Sequence, residues 1–228
     1  MNSVQYAVPM PRETLTREQI VQAAVTLLDE AGIDGLSMRK LGQRLGSAAT
    51  AMYWHVGSKE NLVSLACDRV WSEVGAHDPA ELGWREAARR HARDTYETLR
   101  GHTWVIAATG AYFVYGHGMA RVQDASYAIY EAAGFTGWDL DWAVNAASTF
   151  AGGAALSDAS LDPVKQRGDT AAMREALAEA GEIAASYPRL RARLEQQAGV
   201  DEAVFVEEKF DFGLEIILDG LEARLRAR

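Results

Sequence analysis

The 228-residue sequence predicts an all-α protein in two parts, an N-terminal three-helix helix-turn-helix unit and a C-terminal helical bundle. Three observations carry this. Apolar residues recur at steps of three and four along nearly the whole chain and nowhere alternate over a credible strand. Two short helical patterns meet across a tight break at Gly46-Ser47-Ala48. Hydrophobic residues make up 48% of the chain, enough to bury a small core and a larger one. The implied boundaries are a flexible arm over 1–11, the small unit over 12–75 and the bundle over 76–228.

The arm holds Pro9 and Pro11 and shows little periodicity. The first helix opens on a capping box, Thr16-Arg17-Glu18-Gln19, carries Ile20, Ala24, Leu27, Leu28 and Ala31 as a stripe, and stops at Gly32. Ser37 caps the second, whose Met38, Leu41 and Leu45 share a face. The third, 49–55, is too short to stand alone, so Met52 and Val56 are its expected buried anchors. Ser58 caps a fourth helix running to about Gly75.

In the bundle, helices are expected to begin near Trp84, Gly101, Arg121, Trp138, Thr170 and Asp201. Breaks at Asp78-Pro79, Gly116-His117-Gly118, Gly134, Leu161-Asp162-Pro163 and Tyr187-Pro188 separate them.

Tyr53, Trp54 and His55 are consecutive, and at about 100° per residue they fan across roughly 200° of helix surface. At least one must face outward. Trp54 suits either packing or exposure, whereas Tyr53 and His55 have polar tips fitted to phosphate contact. From Gly35 to Lys59 there are four basic residues and no acidic one. Arg39, Lys40 and Lys59 sit in first turns, where a cation opposes the helix dipole at about 0.3–1 kcal/mol each. A phosphate docked at those helix ends offsets that cost; a solvated charged face is the other reading.

At Leu45-Gly46, Tyr53-Trp54-His55 and Lys59 the sequence resembles the tetracycline-repressor (TetR) family of bacterial regulators, over roughly residues 14 to 75. The resemblance implies that Arg39 reaches a base edge while Thr50, Tyr53, His55 and Lys59 touch the backbone or nearby bases of a palindromic operator duplex. Lys40 and Trp54 complete the expected contact set. At the head of the recognition helix the tetracycline repressors have Gln-Pro-Thr, and this chain has Ala49-Thr50-Ala51, which removes a bidentate amide. The expected operator therefore differs, with Arg39 reading guanine and the methyls of Ala49 and Ala51 meeting thymine.

Net charge is −9, but residues 1–77 carry seven basic and eight acidic groups and the remainder sixteen and twenty-four. The acidic excess lies in the bundle, where it repels DNA and orients the basic end toward it. With about six phosphates neutralised by a dimer, affinity should fall with salt at a logarithmic slope near −5.

Residues 101–160 hold ten of the twenty aromatic residues, beside Gly152-Gly153 and several alanines. They suit a bundle core or a pocket, and Trp104, Phe113, Tyr127, Tyr130, Trp138, Trp142 and Phe150 are the candidate ligand contacts. The segment has one basic residue, Arg121, against five acidic ones, so the expected effector is a small hydrophobic molecule, neutral or cationic. The resemblance further implies that magnesium-tetracycline is not the ligand: aligned on Ala133-Gly134-Phe135, Gly110 and Ser157 stand near the family's anchoring His and Glu. His102 and His117 serve only in a different geometry.

The alanine and glycine series from Ala143 to Ala154 permits close helix approach, and Phe205, Val206, Phe210, Phe212, Leu214, Ile216, Ile217, Leu218 and Leu221 coat more than one face of the last helix. These surfaces pack within one chain or, as the resemblance implies, form a two-fold homodimer through a four-helix seam. Such a dimer reads half-sites about 34–36 Å apart. Ligand-driven tilting of the helix starting at Lys59 spoils that spacing.

No paired-carboxylate, nucleophile or phosphate-loop pattern stands out, so no enzyme, cofactor or metal is expected. The single Cys67 fits a core position in a reducing cytoplasm, and no apolar run approaches a membrane span. The competing function is a ligand-blind DNA-architectural or protein-interaction module.

Overall fold

A computed structural model describes residues 15–160, 171–197 and 202–227. The proposed arm over 1–11, the Leu161-Asp162-Pro163 break, Thr170, Asp201 and the side chain of Phe205 lie outside the described residues. Within them the chain forms twelve α-helices and no strand.

The small unit comprises α1 (Arg17–Gly35), α2 (Met38–Arg44), α3 (Ala49–Val56) and the start of α4 (Lys59–Trp71). The capping box forms, with the Gln19 amide donating to Thr16 Oγ1 and the Thr16 amide to Gln19 Oε1. Gly32 takes the left-handed conformation (φ 64°) and breaks α1 as expected, although a further short helical stretch carries on to Gly35. Ser37 and Ser58 cap α2 and α4 by accepting from the Lys40 and Asn61 amides. Gly46 (φ 62°) turns the chain between α2 and α3. Met52 and Val56 are buried, and with Ile20, Leu28, Leu41 and Leu62 they hold the short α3 in place.

The bundle contains α5 (Pro79–Leu82), α6 (Trp84–Gly101), α7 (Trp104–Ala111), α8 (His117–Ala132), α9 (Trp138–Ser160), α10 (Ala171–Ala185), α11 (Pro188–Gln197) and α12 (Glu202–Arg226). Four sequence boundaries move. Trp71, not Gly75, ends α4, because Arg121 supplies donors to the Trp71 and Val74 carbonyls. Gly101 closes α6 instead of opening α7, since His102 leaves the helical region to meet Asp29. The helix placed at Arg121 begins at His117, fastened there by Asp68. At the Asp78-Pro79 break, Asp78 caps the four-residue α5 through the Ala80 amide.

At the centre, α6 meets α9 through small side chains: Ala87, Ala88 and Ala92 against Ala143, Ala147, Ala151 and Ala155, all buried. On α12, Phe210, Leu214 and Leu218 are buried, and Phe210 stacks on Tyr96 at 4.1 Å between centroids. Tyr96 donates to Asp158 Oδ2 at 2.6 Å while Lys209 pairs with Oδ1, so the buried carboxylate is satisfied on both oxygens. Burial pushes the Tyr96 phenol up to about 12. Arg85 and Arg89 bind Glu215 at 2.6 and 2.7 Å and tie α6 to α12. Cys67 is buried, and desolvation with Asp68 nearby drives its thiol up to about 12, so it is an inert core residue. Among the described residues no helix is long and apolar enough to cross a membrane.

Candidate nucleic-acid interface and effector cavity

All three residues of the aromatic triplet face outward on α3, where Met52 and Val56 take the inner face. Trp54 is 90% exposed and Tyr53 49%. A tryptophan held so far into solvent gains nothing from burial, which removes packing as its role. Thr50 is exposed, while Ala49 and Ala51 are half-buried and pack against the core, so their methyls are only partly available at the surface.

The four cations of this region behave differently from one another. Arg44 pairs with both oxygens of Glu30 at 2.6 Å, which holds that carboxyl below its ordinary range. Lys40 Nζ donates to the Gly35 carbonyl and Lys59 Nζ to the Ile33 carbonyl, both at 3.1 Å. These two lysines therefore neutralise the frayed C-terminus of α1, a protein partner for cations that the sequence assigned to phosphate alone. Arg39 is exposed and makes no hydrogen bond or ion pair with any described residue.

The bundle encloses a cavity of about 510 Å³ between α4, α6, α8 and α9. Tyr127, Trp138 and Trp142 converge on it, joined by Trp71, Met119 and Val122. Its polar lining is Thr95, Gln123, Ser126, Asn145 and Ser148, with Asp141 the sole carboxylate and His91 the sole group of basic type. The Tyr127 hydroxyl donates to Asp141 Oδ1 at 3.0 Å, a bond that raises the phenol above its ordinary value.

Four candidate ligand residues are elsewhere. Trp104 is buried and donates to Asp29 at 2.7 Å, joining α7 to α1. Tyr130 is core, edge-on to Phe135 at 6.2 Å, and borders only a small void beside the cavity. Phe150 packs on Phe210 at 5.4 Å toward α12. Phe113 is 92% exposed and lines no part of the cavity. Aromatic clustering in sequence thus overcounts the pocket, because helix rotation sends half of the rings into the core or to solvent.

The cavity also contains residues that the aromatic pattern passes over. His91 is 7% exposed, with Nε2 at 2.8 Å from Ser126 Oγ. Desolvation, with His77 and Arg121 adding repulsion, lowers it to about 4, so it is neutral. Its signal was present in the sequence: Ala88, His91, Ala92 and Thr95 share one buried face of α6 at helical spacing.

The C-terminal end of α4 is gripped by α8. The Gly118 amide donates to Asp68 Oδ1 at 2.6 Å, and a Cβ at Gly118 would stand 2.3 Å from the Asp68 carbonyl oxygen. Arg121 adds bonds to the Val74 and Trp71 carbonyls at 2.8 and 3.3 Å. One rigid helix therefore runs from Lys59, anchored on the small unit, to Trp71 in the cavity wall.

Comparison with known proteins gives this arrangement its family. Residues 20–66 match the model of bacterial regulatory proteins of the tetR family, and residues 78–225 match the tetracyclin repressor-like C-terminal domain. The chain belongs to the TetR family. An HTH-type transcriptional regulator of Saccharopolyspora erythraea is 35% identical over 92% of this chain and 85% of its own. The HTH-type transcriptional repressor DrrR1 of Streptomyces coeruleorubidus is 30% identical over 96% of this chain and 81% of its own. Among solved structures, ActR of Streptomyces coelicolor in complex with actinorhodin has a TM-score of 0.72 at 26% identity, covering 93% of this chain and 97% of that one. As a TetR-family regulator, the chain pairs a helix-turn-helix unit with a C-terminal helical domain, in agreement with the fold the sequence predicts.

Proposed function

We propose that this protein is a cytoplasmic homodimeric repressor that binds a palindromic operator through α2 and α3 and is released by a small hydrophobic effector. The observation that carries the reading is the span of α4, with Lys59 bonded to α1 at one end and Trp71 lining the cavity at the other. A ligand that shifts this helix changes the separation of the two recognition helices in a dimer, and the half-sites no longer fit. A ligand preferring the widened state a hundredfold shifts occupancy by about 2.7 kcal/mol, which is sufficient.

On the DNA side, Arg39 is the base reader, since Lys40, Arg44 and Lys59 already have partners. Tyr53, Trp54, His55 and Thr50 supply contacts to sugar and phosphate, and Ala49 and Ala51 set the close approach of the helix. Lys40 and Lys59 hold the end of α1 and face the backbone with their remaining donors.

On the effector side, three aromatic rings and mainly neutral polar groups favour a flat apolar molecule, and Asp141 tolerates a positive charge on it. Magnesium-tetracycline does not suit the site, because Gly110 and Ser157 line no part of this cavity. Dimerisation uses the outer faces of α9 and α12, where Leu156, Phe212 and Ile216 are exposed.

The test is operator selection from random duplexes with the wild type and Arg39→Ala, followed by release assays against hydrophobic antibiotics. A selected palindrome that loses one base preference in Arg39→Ala, and dissociates with a ligand, supports the reading. Binding without sequence preference or effector response identifies a ligand-blind architectural module instead.

A further inference from the structure

Among the described residues two buried side-chain polar atoms lack a hydrogen-bond partner, Trp71 Nε1 and His91 Nδ1. Both residues line the same cavity. Buried polar groups are nearly always paired, so two orphans in the wall of one cavity mark where a ligand completes the bonding.

The two atoms have opposite character. An indole Nε1 carries a hydrogen and only donates. For His91 the neighbours fix the tautomer: Ser126 Oγ gives its one proton to the Val122 carbonyl at 3.1 Å and so receives a proton from His91 Nε2 at 2.8 Å. That leaves Nδ1 of the neutral ring as a bare acceptor. His77 and Arg121 disfavour a second proton there, and Asp94, the nearest opposing charge, is already bonded to His77 at 2.7 Å and to the Gly75 amide at 3.1 Å.

We infer that Trp71 and His91 form a donor–acceptor pair that selects a hydroxylated aromatic carbonyl compound, the ligand carbonyl accepting from Trp71 Nε1 and a ligand hydroxyl donating to His91 Nδ1. The inference rests on the effector-cavity reading above and specifies the chemistry the cavity recognises. Trp138, Trp142 and Tyr127 supply the apolar walls for the flat ring system. Because Trp71 belongs to α4 and His91 to α6, a ligand bonded to both ties the helix that carries the operator-reading unit to the fixed wall of the bundle. Apolar shape alone supplies no such link. A site that offers these two atoms also discriminates against analogues lacking a hydroxyl, since the orphan then stays unpaired.

Equilibrium dialysis of the full chain with 2-hydroxyanthraquinone, 9,10-anthraquinone and anthracene tests this. The wild type should bind them in that order, with about tenfold between neighbours, the worth of one hydrogen bond. Trp71→Phe keeps the ring and should erase the preference for anthraquinone over anthracene. His91→Phe should erase the preference for the hydroxyl, and His91→Asn, which restores an acceptor, should recover much of it. Circular dichroism melts confirm that each variant folds. Equal binding of all three compounds to the wild type, or preferences untouched in the variants, overturns the pair but leaves the aromatic cavity standing as the effector site. Binding of none of them overturns both.

Discussion

The Gly118 amide donates to Asp68 Oδ1 at 2.6 Å, and this bond fastens the first turn of α8 to the last turns of α4. The contact is possible because residue 118 has no Cβ; one placed there would lie 2.3 Å from the Asp68 carbonyl oxygen and 2.9 Å from Ser72 Oγ. Backbone oxygen cannot yield as a side-chain tip can. Gly118→Ala should therefore push α8 off α4, costing about 1–3 kcal/mol of stability by overpacking. Denaturant midpoints measure that loss, and operator release by an effective ligand should weaken in the same variant, since α4 is no longer gripped. An unchanged midpoint would show that the two helices slide freely.

Trp54 is expected to matter for DNA and for nothing else. At 90% exposure its removal leaves no cavity, so Trp54→Ala should keep stability within about 0.5 kcal/mol. Operator affinity should weaken by about tenfold or more in gel-shift titration, a loss of one good contact. A large drop in melting temperature with normal DNA binding would return this ring to a packing role.

The outer face of α12 gives a third test. Phe212 is 71% exposed and Ile216 lies one turn on, whereas Phe210, Leu214 and Leu218 take the inner face. Phe212→Glu combined with Ile216→Lys should yield folded monomers in sedimentation velocity, with operator binding lost because one half-site alone is held weakly. A dimer that survives both charges means that the seam runs elsewhere.

His91 makes stability depend on pH. Its ordinary value of 6.5 falls to about 4 in the folded chain, chiefly through desolvation and then through His77 and Arg121, with Asp94 opposing. Above 6.5 both folded and unfolded chains hold it neutral, and its burial carries no protonation cost. As pH drops toward 4, the unfolded chain takes up a proton that the folded chain refuses. Stability should then decline across that window by roughly 3 kcal/mol in all. The difference between urea-unfolding curves of the wild type and His91→Asn over pH 4 to 7 isolates this component, and parallel curves would remove it.

Much of the small unit was legible in local chemistry. Thr16, Ser37 and Ser58 cap neighbours three residues away, Gly46 takes a conformation its own lack of side chain permits, and Met52 and Val56 fall inward by helical period. Such signals act within a turn or two of chain, so adjacent residues suffice to read them. The shifted ends of α4, α6 and α8 fail that condition. Arg121 finishes α4 from 47 and 50 residues away, and Asp68 fastens α8 from a similar distance.

The cavity divides in the same way. Composition alone located an aromatic-rich, cation-poor segment, and Tyr127, Trp138 and Trp142 meet there. Which rings point inward depends on the rotation of α7, α8 and α9 against α6, and that is set by alanine contacts rather than by the rings. Trp71 and His91 lie in earlier helices, and their orphan atoms have meaning only once the neighbours that fail to reach them are in place.

Sequence by itself determined the all-helical class, the helix-turn-helix with its outward triplet and the family, because short-range periodicity, caps and turn residues encode these. Tertiary structure decided that Lys40 and Lys59 serve the end of α1, that Arg39 is left unpaired among the described residues, and that Trp71 and His91 share one cavity. Those outcomes depend on which groups distant in sequence come within hydrogen-bond reach, and helix packing fixes that distance while local propensity does not.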